Sequence, residues 1–575
     1  MKRCCLSLLP FLAGPQRVIM LLSVILIPYC LFSQTRSAIH KLDSGLTYLN
    51  QTHRFNGKVL VADNGMVYKK SFGTTSLITY GQNIFNDNNT FIPKGFLITN
   101  VNIVDGTGSP AFKGAVRIVG NKIKDIGSLK PYAGEEVING MGKTLAPGFI
   151  DSHSHLDGSL SKKPEAIAAL NQGITTIIVG QDGSSNAVDS IKATLKIKPV
   201  AVNLATYTGH TTLRVKIMGE KNLSRPAIQN ELDSMKILLD GEMQKGSLGL
   251  SGGLEYERAF FSSRDEVLQL AKETAKYGGR FISHIRSEDV AQDDALDEIE
   301  NIAKEAKLPV QVSHIKTALK DNWGNAPLIL YHFQEVRQAG VDITADCYPY
   351  AYWMSTVKVL FPKKDYTNLQ SAQYSVEHLF DPALSTMVKF APDTIYKGKT
   401  VAEIAALRKE TAAETLVYLV AASDGFEKKF PDYKEGIEQI TGASMNEDDV
   451  TTFLTWAHTN FCTDGGDGGH PRSYGSFTRI LGRYVRERKA LTLEQAIYKM
   501  TGLAAEHTGI KNRGTIAPGK YADLVLFDPQ TVTDKATIQN PTALSEGIIK
   551  VWVNGECVYQ DQQSTKHYPG VFISR

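Results

Sequence analysis

Phe149-Ile150-Asp151-Ser152-His153-Ser154-His155-Leu156 is the stretch from which the rest of the chain can be read. Side chains two apart on a strand point the same way, so His153 and His155 can grip one metal ion. The apolar run 145–150 before them reads as a buried strand, and a histidine pair at its C-terminal end suits the mouth of a barrel of parallel strands.

Later segments answer this pair. Residues 173–182 form a β-branched run that ends on the carboxylate of Asp182. The apolar runs 280–284 and 308–314 each end in Ser-His, at His284 and His314, and the short run 460–465 closes on Asp464. Strands that end in imidazole or carboxylate and are separated by helical stretches describe one metal centre built on a (β/α)8 barrel. Counting apolar runs places the barrel strands near Thr144, Ile174, Pro199, Gly246, Arg280, Leu308, Val341 and Asn460. The last interval is too long for one βα repeat, so about 352–449 is expected to hold an inserted subdomain or lid as well as the barrel helix.

At 575 residues and 42% hydrophobic, the chain has material for a barrel and at least one smaller domain. A formal charge of +3 is nearly neutral for this size, and no basic stripe with interleaved aromatics occurs, so nucleic acid is not expected as a partner. Past the leader, Cys347, Cys462 and Cys557 are too scattered for a disulfide framework.

Residues 1–35 combine Lys2, Arg3 and Arg17 with the apolar run 18–32 and a polar end, the pattern of a cleaved export signal. That run is short for a spanning helix and contains Pro28, so no stable membrane span is expected after cleavage, and the protein is expected in the periplasm or secreted. Residues 36–95 form a short extension with two alternating runs around Asn64-Gly65. It resembles the opening hairpin of penicillin-binding-protein-like serine hydrolases, but the Ser-x-x-Lys nucleophile is absent between 36 and 100. Short strand runs over 96–145 and again over 511–575 suggest a small β-sandwich made from both chain ends around a barrel at 146–510.

Several segments together resemble the N-acyl-D-amino-acid deacylases (D-aminoacylases) of the amidohydrolase superfamily. They are Gly148-Phe149-Ile150-Asp151-Ser152-His153-Ser154-His155, Gly249-Leu250-Ser251-Gly252-Gly253-Leu254-Glu255-Tyr256, His284-Ile285-Arg286-Ser287-Glu288, Ser313-His314-Ile315-Lys316 and His470-Pro471-Arg472-Ser473-Tyr474-Gly475. The resemblance spans about residues 96–560 and implies zinc-dependent hydrolysis of the amide bond of an N-acyl-D-amino acid, a small-molecule substrate. It implies that His284 and His314 are tight zinc ligands, that His153 and His155 face a second, weaker metal position, and that Asp464 is the catalytic acid-base. Asp182 stands where many D-aminoacylases carry a cysteine, and a carboxylate there is a harder ligand that can bridge two ions.

An N-acyl amino acid also carries an α-carboxylate, which calls for fixed cations and hydroxyls. Lys316, Tyr348 and Arg472 are the first candidates, with Arg286 and Tyr256 behind them. Related chemistries stay open: hydrolysis of cyclic amides or imides of the dihydropyrimidinase and hydantoinase kind, or of dipeptides containing a D-residue. The cyclic-amide enzymes usually carry a carbamylated lysine on the fourth strand, and 246–251 offers none. A barrel that kept its fold and lost its metal would lack ligands, and here every ligand position is filled.

Overall fold

The computed structural model describes residues 57–63, 66–72, 95–433, 435–466 and 468–575. The expected export signal and the Asn64-Gly65 turn lie outside the described residues. The chain divides into two units, 1–91 and 92–575. In the first, Gly57–Asp63 and Met66–Phe72 pair antiparallel, with Asp63 opposite Met66.

The second unit is built on eight parallel barrel strands. They are Phe149–Asp151, Ile174–Val179, Asn203–Thr206 (continued after Tyr207 by Thr208–Gly209), Gly249–Gly253, Arg280–His284, Val310–Val312, Ile343–Cys347 and Thr459–Phe461. The ring closes between first and last: the amide of Asp464 donates to His153 O at 2.9 Å, and the amide of His155 donates to Gly465 O at 2.9 Å. Helices follow the strands and bury one stripe each. In Gln292–Ala306, Leu296, Ile299, Ile302, Ala303 and Ala306 recur at three- and four-residue spacing and are all buried. Ile150, Ile178, Ala205 and Ile282 from four of the strands form a second apolar cluster, against which Ile573 near the C-terminus packs.

The two chain ends meet as expected, but in one hydrogen-bonded sheet of nine strands. Leu524–Phe527 pairs antiparallel with Thr144–Pro147, and the sheet encloses its own core of Ile98, Ile118, Leu145, Leu524 and Trp552 among others. This corrects the expected first barrel strand: residues 144–147 belong to the terminal sheet, and the barrel begins at Phe149. The break is Gly148, whose amide donates to Asp523 O and where any Cβ would collide with the side chain of Thr175.

The long interval before the last barrel strand is a separate small unit. Trp353–Ser355, Glu438–Gly442 and Thr386–Phe390 form an antiparallel sheet in that spatial order, accompanied by helices Leu369–His378, Val401–Arg408 and Ala412–Lys429. The helix Glu447–Thr455 that ends the interval leads directly into the last barrel strand. Among the described residues no helix is long and apolar enough to cross a membrane. Cys347, Cys462 and Cys557 are free thiols.

Candidate metal centre and active site

Every candidate ligand except His284 sits just past a strand end rather than on it. Asp182, His314 and Asp464 have left-handed backbones, with φ of 52°, 34° and 46°. Such conformations persist where surrounding structure over-determines them, and they cluster at active sites. The bracing groups are identifiable. Buried Asp346 accepts the backbone N–H of His314 at 2.6 Å, and buried Asp151 accepts the Thr463 N–H at 2.8 Å and its hydroxyl at 2.6 Å, next to Asp464. At Asp182, Gly253 of the fourth strand must lack a side chain, because a Cβ there would run into the Asp182 carbonyl.

The turns bring the expected ligands together. The Nε2 atoms of His153 and His155 are 3.3 Å apart, and His284 Nδ1 is 3.3 Å from His314 Nε2. Asp182 lies between the two pairs: Oδ1 is 3.4 Å from His153 Nε2 and 3.5 Å from His314 Nε2, and Oδ2 is 3.3 Å from His155 Nε2. Asp464 Oδ1 approaches His155 Nε2 at 3.3 Å, while its Oδ2 is 2.7 Å from Arg472 Nη1. Two groups therefore converge on a common centre, His153/His155/Asp182/Asp464 and Asp182/His284/His314, with Asp182 in both.

The donor set fits a divalent ion. Asp182 Oδ1 is buried and lacks an aligned hydrogen-bond donor although imidazole nitrogens surround it, which is the geometry of a ligand rather than of an ion pair. Two of the ligand imidazoles are held from behind. His284 Nε2 is 2.7 Å from Glu255 Oε2, and His314 Nδ1 is 3.0 Å from Glu288 Oε1, which turns the opposite nitrogens, His284 Nδ1 and His314 Nε2, towards each other at 3.3 Å.

Electrostatics say the same. Burial alone would disfavour a charged His155, yet Asp182 and Asp464 outweigh it and push the ring to about 10. Burial and Lys316 likewise oppose charge on His314, and Glu288, Asp464 and Asp182 raise it to about 10. Burial would raise the carboxyl of Asp182, but His153, His155 and His314 hold it well below the ordinary range. Asp464 is held below its ordinary value against its burial, chiefly by Arg472. The carboxylates thus draw positive charge into this spot; protons supply it in a metal-free site, and a divalent cation is the group that suits it.

The expected substrate residues divide. Tyr348, Arg472, Tyr256 and Lys316 line one inner chamber with His284, His314 and Asp464. The Tyr348 hydroxyl and the Arg472 Nε are buried without partners, and Nη1, though close to Asp464, is not aligned for a hydrogen bond. Tyr256 OH is 3.2 Å from His284 Nδ1. Lys316, expected as a free cation, is already engaged: its Nζ is 2.6 Å from both Glu288 Oε1 and His314 Nδ1. Lys316, two residues past His314, does not continue that strand, because the strand ends at Val312 and His314 turns the chain. Arg286 is paired through both Nε and Nη2 with Glu298 at 2.7 and 2.8 Å and is not among the residues that line the inner chamber.

Glu255 and Glu288 escaped the reading of the sequence, as did Asp151 and Asp346. Glu255 and Glu288 do lie inside the quoted motifs, Glu288 four residues past His284, and that proximity was the available signal.

Known proteins are similar to this chain in sequence and fold. The amidohydrolase family model matches residues 136–443 and 457–559. A D-aminoacylase of Alcaligenes xylosoxydans xylosoxydans is 30% identical over 521 residues, covering 84% of this chain and 98% of the relative. An N-acyl-D-aspartate deacylase of the same organism is 32% identical over 83% of this chain and 95% of its own length. The crystal structure of N-acyl-D-glutamate deacylase from Bordetella bronchiseptica, complexed with zinc and a phosphonate mimic of the tetrahedral intermediate, superposes with a TM-score of 0.74 at 29% identity, over 84% of this chain and all of that one. With a barrel whose strand ends gather imidazoles and carboxylates around one centre, the chain belongs to the amidohydrolase family and is a metal-dependent amide hydrolase.

Proposed function

We propose that this enzyme hydrolyses N-acyl-D-amino acids to a carboxylate and a free D-amino acid. The observation that carries the reading is the junction of two features in one chamber: the Asp182-centred ligand cluster and, beside it, the unpartnered donors of Arg472 and Tyr348. The similarity to D-aminoacylase and to the D-aspartate and D-glutamate deacylases supports the stereochemical class.

His284, His314 and Asp182 would hold a tight zinc ion, and His153 and His155, with Asp182 shared, a second and weaker one. Bound zinc acidifies water to a pKa of about 7 and polarises an amide carbonyl. Asp464, kept ionised by Arg472, takes a proton at Oδ1, the oxygen facing His155, and returns it to the departing amine nitrogen. Arg472 and Tyr348 receive the α-carboxylate, one by charge and both by hydrogen bonds. Burial keeps the Tyr348 phenol well above its ordinary pKa, so it stays a donor at neutral pH. Tyr256 lies against the ring of His284 and orients it. Lys316 holds Glu288 against His314 and acts on the metal rather than on the substrate.

The zinc-loaded protein should turn over N-acetyl-D-amino acids and spare the L-isomers. Hydrolysis of hydantoins or dihydropyrimidines with no action on any N-acyl-D-amino acid would overturn the reading in favour of a cyclic-amide enzyme. We also read 1–35 as a cleaved export signal, 36–95 as an appended hairpin and 96–145 with 511–575 as one sheet domain. Sequencing the N-terminus of the exported protein tests the first of these, and a mature chain that retains residue 1 overturns it.

A further inference from the structure

The His470-Pro471-Arg472 motif contains a residue that neither the metal cluster nor the α-carboxylate receptor uses. His470 is buried, at 0% exposure, and links the two loops that supply the receptor: Tyr348 follows the seventh barrel strand and Arg472 lies beyond the eighth. Its ring nitrogens have different partners. The backbone N–H of Arg472 donates to Nδ1 at 3.0 Å, and Nε2 is 3.0 Å from Tyr352 O. An amide N–H can only donate and a carbonyl can only accept, so Nδ1 carries the lone pair and Nε2 the proton. The ring is therefore neutral. Burial and the neighbouring Arg472 keep it so, since both hold its pKa well below the ordinary value.

This link is one of several that fasten Arg472 to the Tyr348 loop. The His470 ring packs against Tyr352 with centroids 4.5 Å apart and stands edge-on to Tyr350 at 5.4 Å. Arg472 opens the helix Arg472–Arg479, whose last residue returns to the same loop, Arg479 Nε donating to Pro349 O at 2.8 Å. Midway, a Cβ on Gly475 would stand 2.7 Å from the Tyr350 hydroxyl, so the helix lies directly on the loop. The Arg472 guanidinium ends 4.7 Å from the centre of the Tyr348 ring, with Nε and Nη1 unpartnered.

We propose that His470 is a positioning residue for substrate binding: it pins the main chain of Arg472 to the loop that carries Tyr348 and so sets the spacing of the two groups that receive the α-carboxylate, with Arg479 fixing the far end of the helix. This rests on the functional reading above and adds to it a residue that is not among those lining the inner chamber. Arg472 needs such a tether because it has a competing partner. Its Nη1 is 2.7 Å from Asp464 Oδ2 but is not aligned for a hydrogen bond. Slack in the main chain would let the guanidinium turn fully onto that carboxylate, and donors meant for the substrate would be taken up by the enzyme itself. A pinned arginine also loses less side-chain freedom when the carboxylate arrives.

The test uses the zinc-loaded, full-length enzyme with its best N-acetyl-D-amino acid and the α-carboxamide analogue of that compound. Damage to the metal, to Asp464 or to general packing strikes both substrates, whereas damage to the receptor strikes only the acid. In His470→Gln the side-chain amide still reaches towards Tyr352 O but leaves no acceptor at the Nδ1 position, while His470→Asn places its oxygen there as in an Asx turn. The acid-to-amide ratio of kcat/KM should fall about 10- to 100-fold in His470→Gln, carried by KM, and much less in His470→Asn. Arg479→Met should lower the ratio about threefold or more. Calorimetric binding of the product D-amino acid against its amide should follow the same order, with zinc content and thermal melts measured on each variant. Equal losses on acid and amide in His470→Gln make the residue merely structural and overturn the inference. So does a ratio in His470→Asn as low as in His470→Gln, or, where His470→Gln does not fold, an unmoved ratio in folded Arg479→Met. A wild type that treats acid and amide alike takes the α-carboxylate away from Arg472 and overturns the inference while leaving amide hydrolysis standing. Absence of turnover on every N-acyl-D-amino acid and every α-carboxamide, with zinc bound and the fold intact, overturns the functional reading and this inference with it.

Discussion

The barrel mouth and the inserted unit face the same chamber but are built on opposite terms. At the mouth, polar groups converge from five strand ends onto a point, three of them (Asp182, His314 and Asp464) held in left-handed turns, with buried acceptors such as Asp346 and Asp151 beside the last two. The inserted unit contributes apolar surface from a small antiparallel sheet and the segments beside it. Catalytic groups must be held to within fractions of an ångström, which closed barrel strands do well. A packing surface needs only shape and the right polarity, which an insertion provides. The two regions are therefore built to different tolerances, and each can be disturbed by its own substitutions.

The largest disturbance expected is Asp182→Ala, because this side chain belongs to both ligand groups. Metal and activity should be lost together, measured as zinc content after dialysis and turnover, while Asp182→Cys should recover a tight single-zinc site. Full metal content and full turnover in Asp182→Ala would reduce Asp182 to a turn residue between Gly180 and Gly183.

Asp464→Asn should keep zinc and fold but lower kcat at least about 100-fold, since an amide cannot shuttle the proton. Retention of more than about a tenth of wild-type kcat would remove it from that role.

Lys316→Ala separates the metal from the substrate. If the ammonium serves to hold Glu288 on His314, zinc affinity should fall about 10- to 100-fold, with KM little changed once zinc is saturating. A rise in KM for the N-acyl acid but not for its α-carboxamide analogue, at unchanged zinc affinity, would instead make Lys316 the carboxylate anchor.

The smallest effect contrasts the two regions through one carboxylate in each. In a barrel helix, Glu266 is buried, which would raise its pKa, yet His210 and Arg214 lower it from 4.5 to about 2. Below its ordinary value the unfolded chain binds more protons than the native one. Its contribution is therefore complete above pH 4.5 and lost as the pH falls towards 2. In the inserted unit, burial raises Glu438 from 4.5 to about 7. Here the native state binds more protons, so stability declines as the pH rises from about 4.5 to 7. Each contribution is on the order of 3 kcal/mol or less. Hydrogen exchange should show Glu438–Gly442 tightening between pH 7 and 5 while Arg264–Ala275 stays unchanged until the pH drops below 4.5. An unaltered pH response of the insertion in Glu438→Gln would break the contrast.

The two regions also differ in how much of them the sequence discloses. His153, His155, Asp182, His284, His314 and Asp464 stand out because each lies at the end of an apolar run, and strand periodicity and strand ends are local properties. The first barrel strand begins later than the apolar run 145–150 suggests, because both sides of Pro147-Gly148 are buried and hydrophobicity alone does not separate the strand of the terminal sheet from the strand of the barrel. The inserted unit was legible as an interval of excessive length, and its apolar wall was not, since Trp353 and Leu379 become neighbours of the chamber only through packing.

The sequence by itself determined the barrel and the places where imidazoles and carboxylates gather, because buried apolar runs that end in such groups and alternate with helical stretches admit few other arrangements; the roles assigned to those groups came from the resemblance to the deacylases. Tertiary structure decided which charges are free. Lys316 and Arg286 look alike as cations along the chain, but Glu288 neutralises one and Glu298 the other, and Arg472 alone among them keeps unpartnered donors in the chamber. Pairing of charges is a contest over a few ångströms in space, and sequence order carries little of that distance.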